Sequence, residues 1–318
     1  MLDSIIYSVN NIMPMFIIVV FGAILGKIGF VNEGFLSVCD KLVFKITLPC
    51  MLFIEIVSAE AVAFNPKLIG FCIAAVVVCL VLACLIVPLF IKDNAKRGAF
   101  IQGIYRSNAA IIGLTMAENL FPETGTATMS TVMPFVVVLF NGFAAVLLSI
   151  YAPANAKLKP KALTISILKS VVTNPLIISI VLALLWKLTG LTLPTVADKS
   201  LNYLADMSMP LALISLGASF KAESLRGRFG LAVISSTLKT AVVPAAVVLA
   251  AIPFGFRGVE LGTIFILFGG PAAVSSYIMA KQMKSDHELA GQILLISTLM
   301  SVLTLFAGTL ILKQTGLI

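Results

Sequence analysis

The sequence predicts an all-α membrane protein of ten transmembrane helices, arranged as two inverted five-helix repeats whose fourth and ninth helices are broken where they cross. Three observations carry that prediction. Apolar runs of membrane-spanning length recur from end to end, two halves of the chain match at an offset of about 160 positions, and two matching runs carry helix-breaking or polar residues at their centres.

The first observation is compositional. Apolar residues make up 60% of the 318 residues and charged residues 11%, against roughly 25% charged residues in a soluble domain. A helix needs about 20 largely apolar residues to cross a bilayer. Such spans fall near 5–29, 35–57, 67–90, 97–120, 126–150, 164–189, 194–219, 228–252, 257–281 and 288–312. A transmembrane β-strand would alternate polar and apolar residues. Runs such as Ile73–Leu85 and Val242–Ala251 do not alternate. The spans leave no room for a soluble domain.

The net charge of +8 invites a nucleic-acid reading, and the position of the charges argues against it. Alternating the sides of successive spans places Lys27, Lys41, Lys45, Lys92, Lys96, Arg97, Lys157, Lys159, Lys161, Lys169, Lys221, Arg226, Arg228, Lys281 and Lys284 on one side. The other side receives Lys67, Lys187, Lys199, Arg257 and Lys313. The richer side is cytoplasmic by the positive-inside rule. Both termini are therefore expected outside a plasma or inner membrane, with the loop 151–163 in the cytoplasm. The start of the chain has Asp3 and no basic residue before the first apolar run. A signal peptide has a basic start, so the first span is expected to be retained. Cys39, Cys50, Cys72, Cys79 and Cys84 lie in or beside apolar spans without a CxxC pair and read as small packing residues.

The second observation is internal repetition. Pro14 falls on Pro175, Pro49 on Pro210, Lys27 on Lys187, and Arg97-Gly98 on Arg257-Gly258. With a slightly wider offset, Ser130-Thr131-Val132-Met133 falls on Ser297-Thr298-Leu299-Met300. The units are 1–150 and 164–318, joined by 151–163. Each holds an odd number of spans, so the second runs through the membrane in the opposite direction. Inverted repeats of this kind build transporters around one central site.

The third observation locates that site. The fourth span reads Gly103-Ile104-Tyr105-Arg106-Ser107-Asn108-Ala109-Ala110-Ile111-Ile112-Gly113, and the ninth reads Phe268-Gly269-Gly270-Pro271-Ala272-Ala273-Val274-Ser275-Ser276. Gly-Gly-Pro does not sit in a regular helix, and Arg-Ser-Asn at membrane depth needs a polar neighbourhood. Both helices are expected to break and cross near the midplane. Half-helix N-termini facing a shared volume suit a carboxylate. Arg106 lies roughly 14 Å deep at helical rise and is either the counter-charge of an anionic substrate or the partner of a buried acid such as Asp206. Asp206 and Lys239 are mid-span and form a candidate coupling or charge network. Asp206 either binds a proton or sodium ion or fixes the bend before Pro210. Glu55 reads as a solvated end residue and His287, the sole histidine, as a loop residue. Paired catalytic acids, HExxH, and GxSxG with a histidine are absent. An enzyme is thus not expected, nor a metal or cofactor, and no filter repeat points to a channel.

At these residues the chain resembles the auxin efflux carrier family, which includes plant exporters and bacterial organic-acid permeases. The resemblance covers the whole chain. Its most specific stretches are Arg106 through Glu118; Asn174-Pro175 followed by Met209 through Gly217; and Gly270-Pro271 through Lys281, ending at Ser297-Thr298. It implies ten helices in an inverted repeat, with the first, second, sixth and seventh as scaffold and the third to fifth and eighth to tenth as a moving transport domain. It also implies small carboxylate substrates and a homodimer through the scaffold. The family's fourth-helix Asn falls on Asn108 and its ninth-helix Pro on Pro271. The family commonly has Pro where Ser107 or Thr115 stands, and its plant branch carries a charged pair in the third helix that 67–90 lacks. The expected substrate site is Arg106, Ser107, Asn108 and Ala109 with Gly270, Pro271 and Ala272, walled by Leu48, Leu52 and Thr131. The expected function is a secondary carrier of small organic anions working by alternating access. A sodium-coupled symporter on the same scaffold and a carboxylate-binding membrane sensor stand as alternatives.

Overall fold

The computed structural model describes residues 2–58, 65–109, 113–155, 159–220 and 227–318, without the side chains of 2–12, 154 and 160. Ala110-Ile111-Ile112 of the fourth-span motif, and Lys157, Lys221 and Arg226 of the charge count, lie outside the described residues.

The first half holds α1 (Leu2–Lys27), α2 (Glu33–Leu42), α3 (Leu48–Val57), α4 (Pro66–Phe90), α5 (Asn94–Tyr105), α6 (Leu114–Leu120) and α7 (Gly125–Ile150). The second half holds α8 (Pro160–Val172), α9 (Pro175–Leu188), α10 (Thr195–Asp206), α11 (Ser208–Ser219), α12 (Phe229–Thr237), α13 (Val243–Ala251), α14 (Gly258–Gly269), α15 (Val274–Gln282) and α16 (His287–Gln314). No strand occurs among the described residues. Side-chain acceptors mark where helices restart: Asn32, Asn65, Asp93, Asn174 and Asp286 each accept a backbone N–H from the first turn that follows, which satisfies an otherwise orphaned donor.

Two long helices widen in the middle. One π-helical turn, Val43–Thr47, joins α2 to α3, and another, Leu238–Val242, joins α12 to α13. Each ends two residues before a proline, Pro49 and Pro244. The proline ring collides with the carbonyl four residues back, and a wider turn relieves that collision without ending the helix. Pro14 and Pro175, which fall on each other in the sequence comparison of the two halves, behave differently. α1 runs through Pro14, whereas Asn174 caps the start of α9 and the chain bends by 57° between α8 and α9.

Among the described residues five helical stretches are long and apolar enough to cross a membrane, at Pro66–Phe90, Gly125–Ile150, Phe229–Phe254, Gly258–Gln282 and His287–Gln314. Counting the bent α8–α9 pair as one span makes six. Their environments differ. Only 22% of the most apolar stretch of Pro66–Phe90 is buried, against 94% for Gly258–Gln282. Val78, Leu82, Leu85 and Leu89 of α4 and Leu182 and Leu185 of α9 stand exposed, apolar surface that a bilayer would cover. The interrupted α14–α15 stretch is enclosed by protein, a setting in which irregular backbone is tolerated at membrane depth.

α1 packs along α11 with backbones in contact. A Cβ on Gly217 would lie 2.0 Å from the Val19 carbonyl oxygen, the close approach that small residues permit between membrane helices. α3 packs on α9 and α10, while α5, α12 and α16 form a second group.

Candidate functional site

The two interrupted helices meet at their breaks. α5 closes at Tyr105, and Arg106 turns to extended backbone (φ −85°, ψ 127°). α14 closes at Gly269, and four residues separate it from α15. The Asn108 N–H donates to the Pro271 carbonyl at 2.8 Å, so each break supplies a partner to the other. A Cβ on Gly270 would lie 2.7 Å from the Ser107 hydroxyl, which explains glycine at that point of closest approach. The Ala272 N–H donates to Ser297 Oγ at 3.1 Å, and the Gln102 amide donates to the Ser276 carbonyl at 3.1 Å. The serine of the repeated Ser-Thr motif therefore supports the second break directly.

Arg106 is the largest fully buried side chain among the described residues. Its guanidinium donates to Asn141 Oδ1 at 2.5 Å, Ser275 Oγ at 2.6 Å and Met279 Sδ at 2.9 Å. All three acceptors are neutral. Among the described residues Arg106 makes no ion pair within 4.0 Å. Its Nε has no hydrogen-bond partner there, and neither do Ser107 Oγ and Asn108 Nδ2. Buried polar groups are nearly always paired, and a cluster of unpaired ones at a helix break is where a ligand's oxygens would fit.

Four expectations need correction. Asp206 makes no ion pair with Arg106 among the described residues; it is exposed at the end of α10, two residues before α11 begins and four before Pro210. Glu55 is partly buried rather than a solvated end residue, and its carboxyl is near enough for its charge to act on Arg106. His287 is not a loop residue. It opens α16, partly buried, with its ring 6.2 Å from that of Tyr277. Lys239 is fully buried, and its Nζ donates to the Phe268 carbonyl at 2.8 Å. It caps the last turn of α14 instead of joining Asp206.

The structure brings Arg106, Ser107, Asn108 and Ala109 together with Gly270, Pro271 and Ala272, all buried. Leu48 and Leu52 belong to the continuous apolar core that includes Ala109 and Ala272. Thr131 is buried and directs its hydroxyl to the Ala127 carbonyl of its own helix. Sequence reasoning missed Asn141, Ser275 and Met279, the partners of Arg106. Asn141 left a signal, an amide in the middle of an apolar run; Met279 left none.

A family model described as membrane transport protein matches residues 7–307. The chain is 21% identical over 306 residues to an uncharacterized transporter of Methanothermobacter thermautotrophicus, covering 94% of this chain and 96% of that one. It is 23% identical over 236 residues to a putative malonate transporter of Rhizobium meliloti, covering 72% of each. It is also 24% identical over 138 residues to auxin efflux carrier component 3a of Oryza sativa subsp. japonica, covering 42% of this chain and 22% of that one.

Proposed function

This chain belongs to the membrane transport protein family, the family of the auxin efflux carriers, and on that premise we propose that it is a secondary carrier of small organic anions, mono- or dicarboxylates. The observation that carries the reading is the buried junction of the two breaks. There, among the described residues, a guanidinium held only by neutral acceptors lies beside unpaired donors on Arg106, Ser107 and Asn108. A positive charge that no carboxylate of the described residues approaches within 4.0 Å, with Glu55 acting on it only from farther away, favours an anion at that spot, and a carboxylate offers acceptors for all three donors. The name of the Rhizobium relative, a putative malonate transporter, supports the same substrate class.

The proposed architecture is ten crossings in two inverted five-helix units, with the breaks as the crossing pair. The packing supports it, because contacts in one unit have counterparts in the other. α1 lies on α11 as α9 lies on α3, and α4 touches α5 and α7 as the α12–α13 helix touches α14 and α16. Transport then consists of α4–α7 and α12–α16 moving against α1–α3 and α8–α11, with both termini outside and the basic loops in the cytoplasm.

The test is uptake of radiolabelled malonate and of a monocarboxylate into proteoliposomes, with wild-type protein and with Arg106→Gln. Wild-type uptake that Arg106→Gln abolishes is expected. Equal uptake by both would remove the Arg106 junction from transport. Binding without uptake would favour the sensor reading. A sodium or proton gradient imposed in separate runs distinguishes ion coupling from uniport.

A further inference from the structure

A second polar cluster lies away from the breaks. Lys281, in the last turn of α15, places its Nζ 2.6 Å from Asp40 Oδ2. Its other partners are Ser219 Oγ at 3.1 Å, Tyr277 OH at 3.2 Å and Ser215 Oγ at 3.5 Å. The Ser215 hydroxyl also donates to Asp40 Oδ1. The Asp40 side chain is 1% exposed and that of Lys281 21%. The cluster ties three helices together: Asp40 comes from α2, Ser215 and Ser219 from α11, and Tyr277 and Lys281 from α15.

We propose that the Asp40–Lys281 pair is a latch that pins α15, the far half of the second broken helix, against α2 and α11. The proposal rests on the carrier reading above, in which α15 moves and α2 and α11 do not. Three features support it. The pair joins the proposed moving group to the proposed fixed group, whereas the other ion pairs among the described residues, Arg228 with Asp286 and Glu288, join residues of the moving group alone. The pair also sits at the end of α15 opposite the junction with α5, so releasing it frees the half-helix where leverage on the break is greatest. Finally, a cavity opens beside the latch, lined by Leu216, Ser219, Tyr277, His287 and Gln292. Separating α15 from α11 would extend that cavity along Tyr277 toward Val274 and the break. The latch is electrostatic and local, so removing either partner opens this route and exchanging the two charges closes it again.

The experiment places a cysteine at Val274 in a background with the native cysteines replaced. Val274 is buried at the start of α15, on the helix face shared with Tyr277 and Lys281. Its labelling by a membrane-impermeant maleimide is timed in proteoliposomes without substrate, with reagent applied to each face in turn. Asp40→Asn and Lys281→Met should each raise the labelling rate about tenfold from one face. The exchanged pair, Asp40→Lys with Lys281→Asp, should return it to within about twofold of the parent. Unchanged labelling in both single variants overturns the latch. Fast labelling that persists in the exchanged pair does so too, because it shows loosened packing rather than lost pairing. Lys281→Arg, which keeps the charge, should label slowly and serves where a single variant does not yield monodisperse protein; fast labelling in that variant is a third refutation. Wild-type malonate uptake is measured in the same vesicles. Its absence counts against the carrier reading while the labelling comparison still decides the latch, and normal uptake with unchanged labelling sinks the latch alone.

Discussion

Two cation sites of this molecule solve the same problem in opposite ways. At the junction of the breaks, Arg106 is held by an amide oxygen, a hydroxyl and a thioether. At the foot of α15, Lys281 is held by the Asp40 carboxylate. A charge paired with its opposite inside the protein is electrostatically complete, and removing one partner exposes the other to the full cost of burial. A charge held only by neutral dipoles still projects its field. On the proposed reading, whether a carboxylate of the chain touches the cation therefore separates a residue that holds helices together from one left to attract an anion.

The largest effect expected from this contrast is at Arg106. Truncating a buried charge that meets an opposite charge on a ligand costs roughly 2–5 kcal/mol, so Arg106→Gln should weaken carboxylate binding by about 30-fold or more. Arg106→Lys keeps the charge without the planar fork and should fall between. Both are read by isothermal titration of purified protein with malonate. Equal affinity in wild type and Arg106→Gln would break the comparison at its first term.

The paired site should respond in stability rather than affinity. Breaking a fully buried ion pair costs roughly 3–5 kcal/mol, and replacing both partners by apolar residues costs far less. Lys281 is 21% exposed, so Asp40→Asn should fall near the lower end of that range. The Asp40→Leu, Lys281→Met double variant should unfold at a higher temperature than Asp40→Asn. The check is thermal unfolding in detergent followed by intrinsic fluorescence; a double variant less stable than the single would show that the pair holds more than itself.

A smaller effect tests whether the two breaks form one unit. Gly270→Ala sets a methyl group 2.7 Å from the Ser107 hydroxyl as it now stands. Overpacking of this kind costs about 1–3 kcal/mol. Ser107→Ala should recover part of that loss, because contacting residues couple in double-mutant cycles. Strict additivity of the two changes would mean that the breaks are independent.

Much of the membrane character, and the location of the breaks, was legible in the sequence because both are local. Span length follows from hydropathy, and Gly269-Gly270-Pro271 cannot continue a helix whatever surrounds it. What failed was whatever depended on which face of a helix a residue occupies. Asp206 is central by residue count, yet it stands exposed at a helix junction. Glu55 is two residues from the end of α3 and still acts on Arg106. Lys281 counted as an ordinary end-of-span charge, and its partner Asp40 drew no notice, because an i-to-j pairing 241 positions apart leaves no trace in spacing. The aligned Pro14 and Pro175 show the same limit. Identical residues give a continuous helix in one place and a 57° bend in the other, according to whether a capping Asn precedes.

Lys239 supplies the sharpest and smallest test, because it too is a fully buried cation without an acid partner within 4.0 Å among the described residues. By the contrast drawn from Arg106 and Lys281 alone, it should belong to the ligand. Its single bond argues otherwise. The Phe268 carbonyl lies in the last turn of α14, where unsatisfied carbonyls concentrate about half a negative charge. Lys239 is thus balanced by a helix end, an anion equivalent that the backbone supplies at hydrogen-bond distance, whereas the direct partners of Arg106 are side-chain dipoles and Glu55 acts on it only from beyond 4.0 Å. Lys239→Met keeps most of the apolar stem and loses one charged hydrogen bond, which contributes roughly 1.5–3 kcal/mol, so a drop in stability of about 1.5 kcal/mol is expected. Malonate affinity should stay within about twofold of wild type by the same titration used for Arg106. A loss comparable to that of Arg106→Gln would place Lys239 in the ligand's field and show that a helix terminus does not neutralise a buried cation here.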